Sequence, residues 1–233
     1  MVHLKNHYNK LWNQSLQKFK RNEFELDPFI NSEYDNRYGV TLLARPSQQV
    51  KRNIANTLKE IRNVAPYQYY YPESDLHLTI LSIISCYPGF SLDQIDQAAY
   101  QEVVQSVINS IAPLEVSFRG ITASPSCILV QGFPKGDQLT ILRNKLRKAF
   151  NHSSLQHSID KRYELQTAHV TAVRFKTSLK SAEKFIAKIT QLRDRYLGSC
   201  TINEVELVGN DWYQQQEKVT PIAKFSLANQ KLL

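Results

Sequence analysis

From residue 38 onward the chain alternates two hydrophobic rhythms: short runs with every second residue apolar, and longer stretches with an apolar residue every third or fourth position. Tyr38 to Ala44 (YGVTLLA) predicts a strand stopped by Pro46, and Val50, Ile54, Leu58 and Ile61 predict a helix with one buried stripe. After three consecutive tyrosines, Tyr69 to Tyr71, residues 76–84 (LHLTILSII) predict a second strand. Leu92, Ile95, Ala99, Val103, Val107 and Ile111 predict a helix closed by Pro113, and Leu114 to Ala123 a third strand. Cys127 to Phe133 and His169 to Phe175 read as strands separated by a helix on Leu139, Leu142, Leu146 and Phe150. A last helix on Phe185, Ile189, Leu192 and Tyr196 leads to one strand, Thr201 to Val208, ahead of Asn210-Asp211-Trp212-Tyr213.

The order strand, helix, strand, helix, strand thus occurs twice. Equivalent points are similarly offset, by 87 positions from Leu42 to Leu129, 92 from His77 to His169, and 87 from Leu114 to Thr201. The expectation is a pseudo-repeat of structure from residue 38 onward, with halves of about 38–124 and 125–210. Tyr8, Leu11, Trp12, Leu16 and Phe19 give residues 1–37 an amphipathic helix packed on that body, and 227–233 form a tail.

A length of 233 residues suits one large domain or two small, closely packed ones. With 42% hydrophobic and 21% charged residues, composition excludes wholesale disorder, collagen-like repetition and coiled coil. The formal charge of +8 changes the picture more, because it favours a phosphate-bearing partner. Residues 135–199 hold 14 basic against 5 acidic residues, so the entire surplus lies in that segment, from Lys135 through Arg143, Lys145, Arg147, Lys148, Lys161, Arg162, Arg174 and Lys176 to Arg195. The basic helix faces around Arg143 to Lys148 are candidates for guiding an RNA backbone. Cys86, Cys127 and Cys200 are few, odd in number and scattered, which argues against a disulfide framework or a structural zinc. With no apolar leader and no membrane-length run, a soluble, cytoplasmic protein is expected.

The candidate chemistry lies in two tetrapeptides, His77-Leu78-Thr79-Ile80 and His169-Val170-Thr171-Ala172, each on a predicted strand at an equivalent place in its half. Positions i and i+2 of a strand share a face, so each His lies beside its Thr, with attachment points about 7 Å apart. A lone His-x-Thr is more often a packed histidine. Two of them, facing each other across a cleft, meet the needs of phosphodiester cleavage. One imidazole activates the nucleophile, the other protonates the departing oxygen, and the hydroxyls donate to the non-bridging oxygens. This chemistry demands no metal, and two histidines without a nearby carboxylate make an incomplete metal shell. Which histidine is acid and which is base stays open at this level. His3, His7, His152 and His157 have no comparable setting.

The paired His-hydrophobic-Thr-hydrophobic motifs, HLTI and HVTA, resemble the signature of the two-histidine (2H) phosphoesterases, the superfamily of 2′-5′ RNA ligases and cyclic nucleotide phosphodiesterases. The resemblance spans roughly residues 38–226. It implies a bilobal, pseudo-two-fold α+β fold, two mostly antiparallel sheets backed by helices around a central groove. It further implies that His77 and His169 are the acid-base pair and that Thr79 and Thr171 bind the phosphate, without metal, ATP or other cofactor. The partners expected are RNA termini or small nucleotides, with monomeric assembly favoured. Tyr71, Trp212 and Tyr213 are candidates for substrate contact. The tyrosines before the first motif either stack on a base or pack in a strand, and Trp212, Tyr213 and Phe133 either line the groove or cover the core edge. Arg174, five residues after His169, falls opposite the dyad by strict alternation, which predicts a surface role. Three activities fit these residues: hydrolysis of a 2′,3′-cyclic phosphate or 2′-5′ linkage, reversible 2′-5′ RNA ligation by the same groups, and non-catalytic binding of RNA or nucleotides.

Overall fold

The periodicities above resolve into five helices and nine strands in a computed structural model that describes residues 2–161 and 164–227. Arg162 and the 228–233 part of the tail lie outside the described residues. Helix α1 (Val2–Lys20) buries Tyr8, Trp12, Ser15 and Phe19, one face at helical spacing, against the body. Strand β1 (Arg37–Ala44) leads to α2 (Gln48–Arg62), whose first turn is capped by Ser47 Oγ accepting from the Val50 N–H. Strands β2 (Tyr69–Tyr70) and β3 (Leu78–Pro88) follow. Helix α3 spans Gln97–Ile108, shorter than the expected 92–111, because the Asp96 carboxylate caps Ala98 and Ala99 N–H and fixes the start there; Leu92–Gln94 form only a 3₁₀ turn. Strands β4 (Leu114–Ser124) and β5 (Cys127–Pro134), helix α4 (Gln138–Asn151) and strand β6 (Val170–Arg174) come next. They are followed by α5 (Ala182–Gln191) and strands β7 (Tyr196–Ile202), β8 (Glu204–Asp211) and β9 (Thr220–Ser226).

All strand pairs are antiparallel, in a four-stranded sheet of order β3-β1-β8-β9 and a five-stranded sheet of order β2-β6-β5-β4-β7. Two sequence expectations are corrected here. Tyr196 opens β7 and is 63% exposed instead of closing the last helix, and the single strand Thr201–Val208 is two strands in different sheets, broken at Asn203. Period-two alternation reports that residues are extended; it does not report which sheet they join.

The pseudo-repeat appears in the sheet order, with β3-β1-β8 matching β6-β5-β4. The first half lays β1 and β3 in one sheet and sends β4 across to the other; the second half lays β5, β6 and β7 in that other sheet and sends β8 back. The counterpart of β4 is therefore β8, and Thr201, offset from Leu114 in the sequence comparison, belongs to β7 instead. This exchange stitches the two sheets together around one continuous hydrophobic core and leaves the motif strands β3 and β6 in different sheets. Among the described residues, no helix is long and apolar enough to cross a membrane.

Candidate functional site

Both motif histidines sit immediately before their strands, His77 ahead of β3 and His169 ahead of β6, not within them. Leu76, Leu78 and Ile80 are buried on one side of the first segment, as are Ala168, Val170 and Ala172 of the second, so each His and Thr is turned the other way.

The strands then depart from simple alternation at the same point. Thr79 pairs with Leu43 and Leu81 with Leu42, leaving Ile80 as an extra residue; Thr171 pairs with Leu129 and Val173 with Ile128, leaving Ala172 extra. In each strand the fourth residue of the tetrapeptide is thus a β-bulge, three positions after the histidine. A bulge shifts the alternation by one residue, which brings the fifth position after each histidine, Ser82 and Arg174, onto the side that holds the His and Thr.

All four motif side chains line one cavity of about 190 Å³, together with Ser82, Arg174, Tyr71, Trp212, Asn210 and Asp160, among others. This corrects the surface position expected for Arg174. Its Nε donates to the Tyr71 hydroxyl at 2.9 Å, and its guanidinium lies 5.6 Å from the rings of both Trp212 and Tyr213. Tyr71, 4% exposed, lines the cavity as the partner of Arg174 more than as a stacking platform. Trp212 is half-buried at the cavity wall. Tyr213 does not line it: the ring is buried and its hydroxyl donates to Asp27 Oδ1 at 3.0 Å and accepts from Arg37 at 3.1 Å. Phe133 faces a separate cavity between α1 and strands β4, β5 and β7, with its ring edge-on to Tyr8.

Each histidine is oriented by the residue two positions before it. His77 Nδ1 donates to the Asp75 carbonyl at 2.7 Å; a carbonyl only accepts, so in the neutral ring Nε2 carries the lone pair. His169 Nδ1 shares a 2.6 Å hydrogen bond with the Thr167 hydroxyl, which either donates or accepts. Burial pushes His77 down to about 4, opposed by the Asp75 carbonyl and reinforced by Arg45 and Arg174. Burial pushes His169 further, to about 3, with added repulsion from Arg143, His77, Arg174 and His7. Asp160 is the one carboxylate on the cavity wall among the described residues, and it is engaged by Arg147 at 2.6 Å. Among the described residues, no three His, Cys, Asp or Glu side chains converge as metal ligands.

In the basic segment, Lys145 and Lys148 of α4 are exposed, as are Lys161, Lys176, Lys180 and Lys184. Arg143 is buried, not on the helix surface. Arg147 pairs with Asp160 and Glu164, Lys135 with Glu115, and Lys188 and Arg195 with Glu60.

A sequence model of the 2′-5′ RNA ligase superfamily matches residues 50–212, which includes both tetrapeptides. No curated protein matches the chain by sequence. Among solved structures, E. coli LigT complexed with 3′-AMP is 13% identical with a TM-score of 0.59, over 83% of this chain and 99% of that one. TT0787 of Thermus thermophilus is 15% identical with a TM-score of 0.58, over 82% and 99%. A conserved protein of unknown function, ATU0111 of Agrobacterium tumefaciens, is 13% identical with a TM-score of 0.53, over 84% and 93%. At these identities the likeness establishes a shared fold.

Proposed function

The chain belongs to the 2′-5′ RNA ligase superfamily, and on that premise we propose that it is a metal-independent phosphoesterase that hydrolyses 2′,3′-cyclic phosphate or 2′-5′ phosphodiester bonds in RNA ends or small nucleotides. The observation that carries this reading is the meeting of two His-x-Thr segments, one from each sheet, on one small cavity that also holds a half-buried arginine.

In the proposed reaction the scissile phosphate lies between the two histidines, with the Thr79 and Thr171 hydroxyls and the Arg174 guanidinium on its non-bridging oxygens. One imidazole takes the proton of the attacking water as the oxygen–phosphorus bond forms. The other, as imidazolium, gives its proton to the departing ribose oxygen as that bond breaks. A carbonyl acceptor supports an imidazolium better than a hydroxyl does, and His77 titrates above His169. A single shared proton therefore belongs on His77, which makes it the acid and His169 the base for hydrolysis.

The test is release of 2′-phosphomonoester from 2′,3′-cyclic nucleotides, or cleavage of 2′-5′-linked dinucleotides, in the presence of EDTA. His77→Ala and His169→Ala are each expected to cut turnover by about 10²- to 10⁴-fold. Absence of turnover on every cyclic and 2′-5′ substrate, or full activity in either variant, overturns the reading. Ligation is the microscopic reverse, and incubation with matched RNA halves shows whether a 2′-5′ joined product accumulates.

A further inference from the structure

The peptide unit just ahead of His169 is held at both ends. Its carbonyl, that of Thr167, accepts from Arg143 Nη2 at 2.9 Å, and its N–H, that of Ala168, donates to the Tyr8 hydroxyl at 3.1 Å. The Tyr8 hydroxyl in turn donates to the Gly132 carbonyl at 3.1 Å. Gly132 permits this close approach, since a Cβ there would lie 2.0 Å from the Ala168 oxygen. Arg143 reaches the other motif as well: Nη2 donates to the Thr79 carbonyl at 2.9 Å and Nε to the Ile80 carbonyl at 2.8 Å. One guanidinium from α4 therefore bridges the bulged end of the first tetrapeptide and the residue that orients His169. β3 is an outer strand of its sheet, so these carbonyls lie on an edge whose main-chain groups need partners from elsewhere.

This bridge is costly. Arg143 is 4% exposed, and none of the ion pairs among the described residues includes it. Main-chain carbonyls solvate a buried guanidinium without neutralising it. Burial, followed by the nearby Arg147, brings its titration down to about 10.

We propose that Arg143 is the positioning residue of the dyad, which fixes the separation of the two His-x-Thr segments and sets an uncompensated positive charge behind His169. Tyr8 is its counterpart at the other end of the same peptide, supplied by α1, which lies outside the family-matched residues 50–212. What the dyad does rests on the phosphoesterase reading; where Arg143 holds it does not.

The experiment separates bridge from charge. Arg143→Lys keeps the charge but cannot span three carbonyls, whereas Arg143→Met removes both. The histidine ring protons are followed by NMR across pH, and kcat and KM are measured with a 2′,3′-cyclic nucleotide. Arg143→Lys is expected to lower kcat about 10²-fold, the scale of a 1 Å misplacement, with the His169 midpoint unmoved. Arg143→Met is expected to lower kcat at least as far and to raise the His169 midpoint more than that of His77. Burial of the ring, with His77, Arg174 and His7 still near it, keeps the midpoint below 6.5. Tyr8→Phe keeps the packing and is expected to lower kcat about tenfold with KM within about twofold. It is also expected to speed exchange of the Ala168 amide. A folded Arg143→Met with the parental His169 midpoint, or Arg143→Lys with parental kcat, overturns the proposal. If Arg143→Met does not fold, parental kcat and Ala168 exchange in Tyr8→Phe overturn it. If the parent turns over no phosphoester, the phosphoesterase reading falls, while the His169 midpoints, with and without inorganic phosphate, still decide the role of Arg143.

Discussion

Acid should cost this protein more stability than its carboxylates explain, and the excess belongs to the two cleft histidines. Folded, they titrate at about 4 and about 3; unfolded, both return to about 6.5. Between those values the unfolded chain binds more protons, so stability falls as pH is lowered, from about 6.5 towards 4 through His77 and towards 3 through His169. At pH 5 both folded rings are still neutral, and the loss is set by the unfolded chain alone, about 2 kcal/mol for each ring and about 4 kcal/mol together. That is a large share of the roughly 5–15 kcal/mol typical of a domain. Urea unfolding at pH 7.5 and 5.0, on the parent and on His77→Gln/His169→Gln, isolates it. Asp35 and Glu60, held low by Arg37 and Arg195, lose stability in acid in both proteins and cancel in the comparison. With an m-value of about 2 kcal/mol/M, the parent's midpoint should drop about 2 M further than the double variant's. Inorganic phosphate should restore part of the loss, and more at pH 5.0 than at 7.5, because it favours the imidazolium. If parent and double variant show the same pH response, the partial burial of the two rings does not hold them neutral in acid.

Arg174→Met removes a charge-assisted contact to the phosphate and should raise KM about 30-fold, the equivalent of about 2 kcal/mol; parental KM values would exclude that contact. Tyr213→Phe breaks the hydrogen bonds to Asp27 and from Arg37, so it should cost about 1 kcal/mol in unfolding experiments and leave kcat and KM unchanged, since the ring does not line the cavity. Turnover should follow a bell-shaped pH profile whose alkaline limb lies higher for kcat than for kcat/KM, because a bound phosphate raises the imidazolium pKa; coincident limbs would count against acid catalysis by His77.

The motifs and their placement on equivalent strands were legible because they depend on local alternation, which the buried Leu76, Leu78 and Ile80 set opposite Ala168, Val170 and Ala172 satisfy. Arg174 was not legible. Its position depends on the bulge at Ala172, and a bulge is visible only in the pairing with β5. Arg143 left a signal that composition obscured. On α4 it falls four residues after Leu139 and three before Leu146, on the apolar stripe that also carries Leu142 and Phe150. A charged residue on a buried stripe differs from a charge on a solvated face, and counting it within a basic run merged the two. The break at Asn203 escaped for another reason: adjacent strands with unbroken alternation carry no mark of where one sheet ends and the next begins.

On the phosphoesterase reading proposed above, the placement of charge around the cleft bears on how the acid acquires a proton. Arg174 lies on the wall and Arg143 behind His169, while Asp160, the carboxylate of the wall among the described residues, is committed to Arg147. Burial, with this field added, holds both imidazoles below their ordinary range and favours the neutral form of each ring in the free protein. A phosphate entering the cavity reverses that field from within and draws a proton with it. On that reading the Asp75 carbonyl favours His77 as the ring that keeps the proton. Carboxylates placed against these arginines would ease protonation of the rings and weaken anion binding. On the proposed reading, arginines left without carboxylate partners help make the substrate's own charge a condition for general acid catalysis.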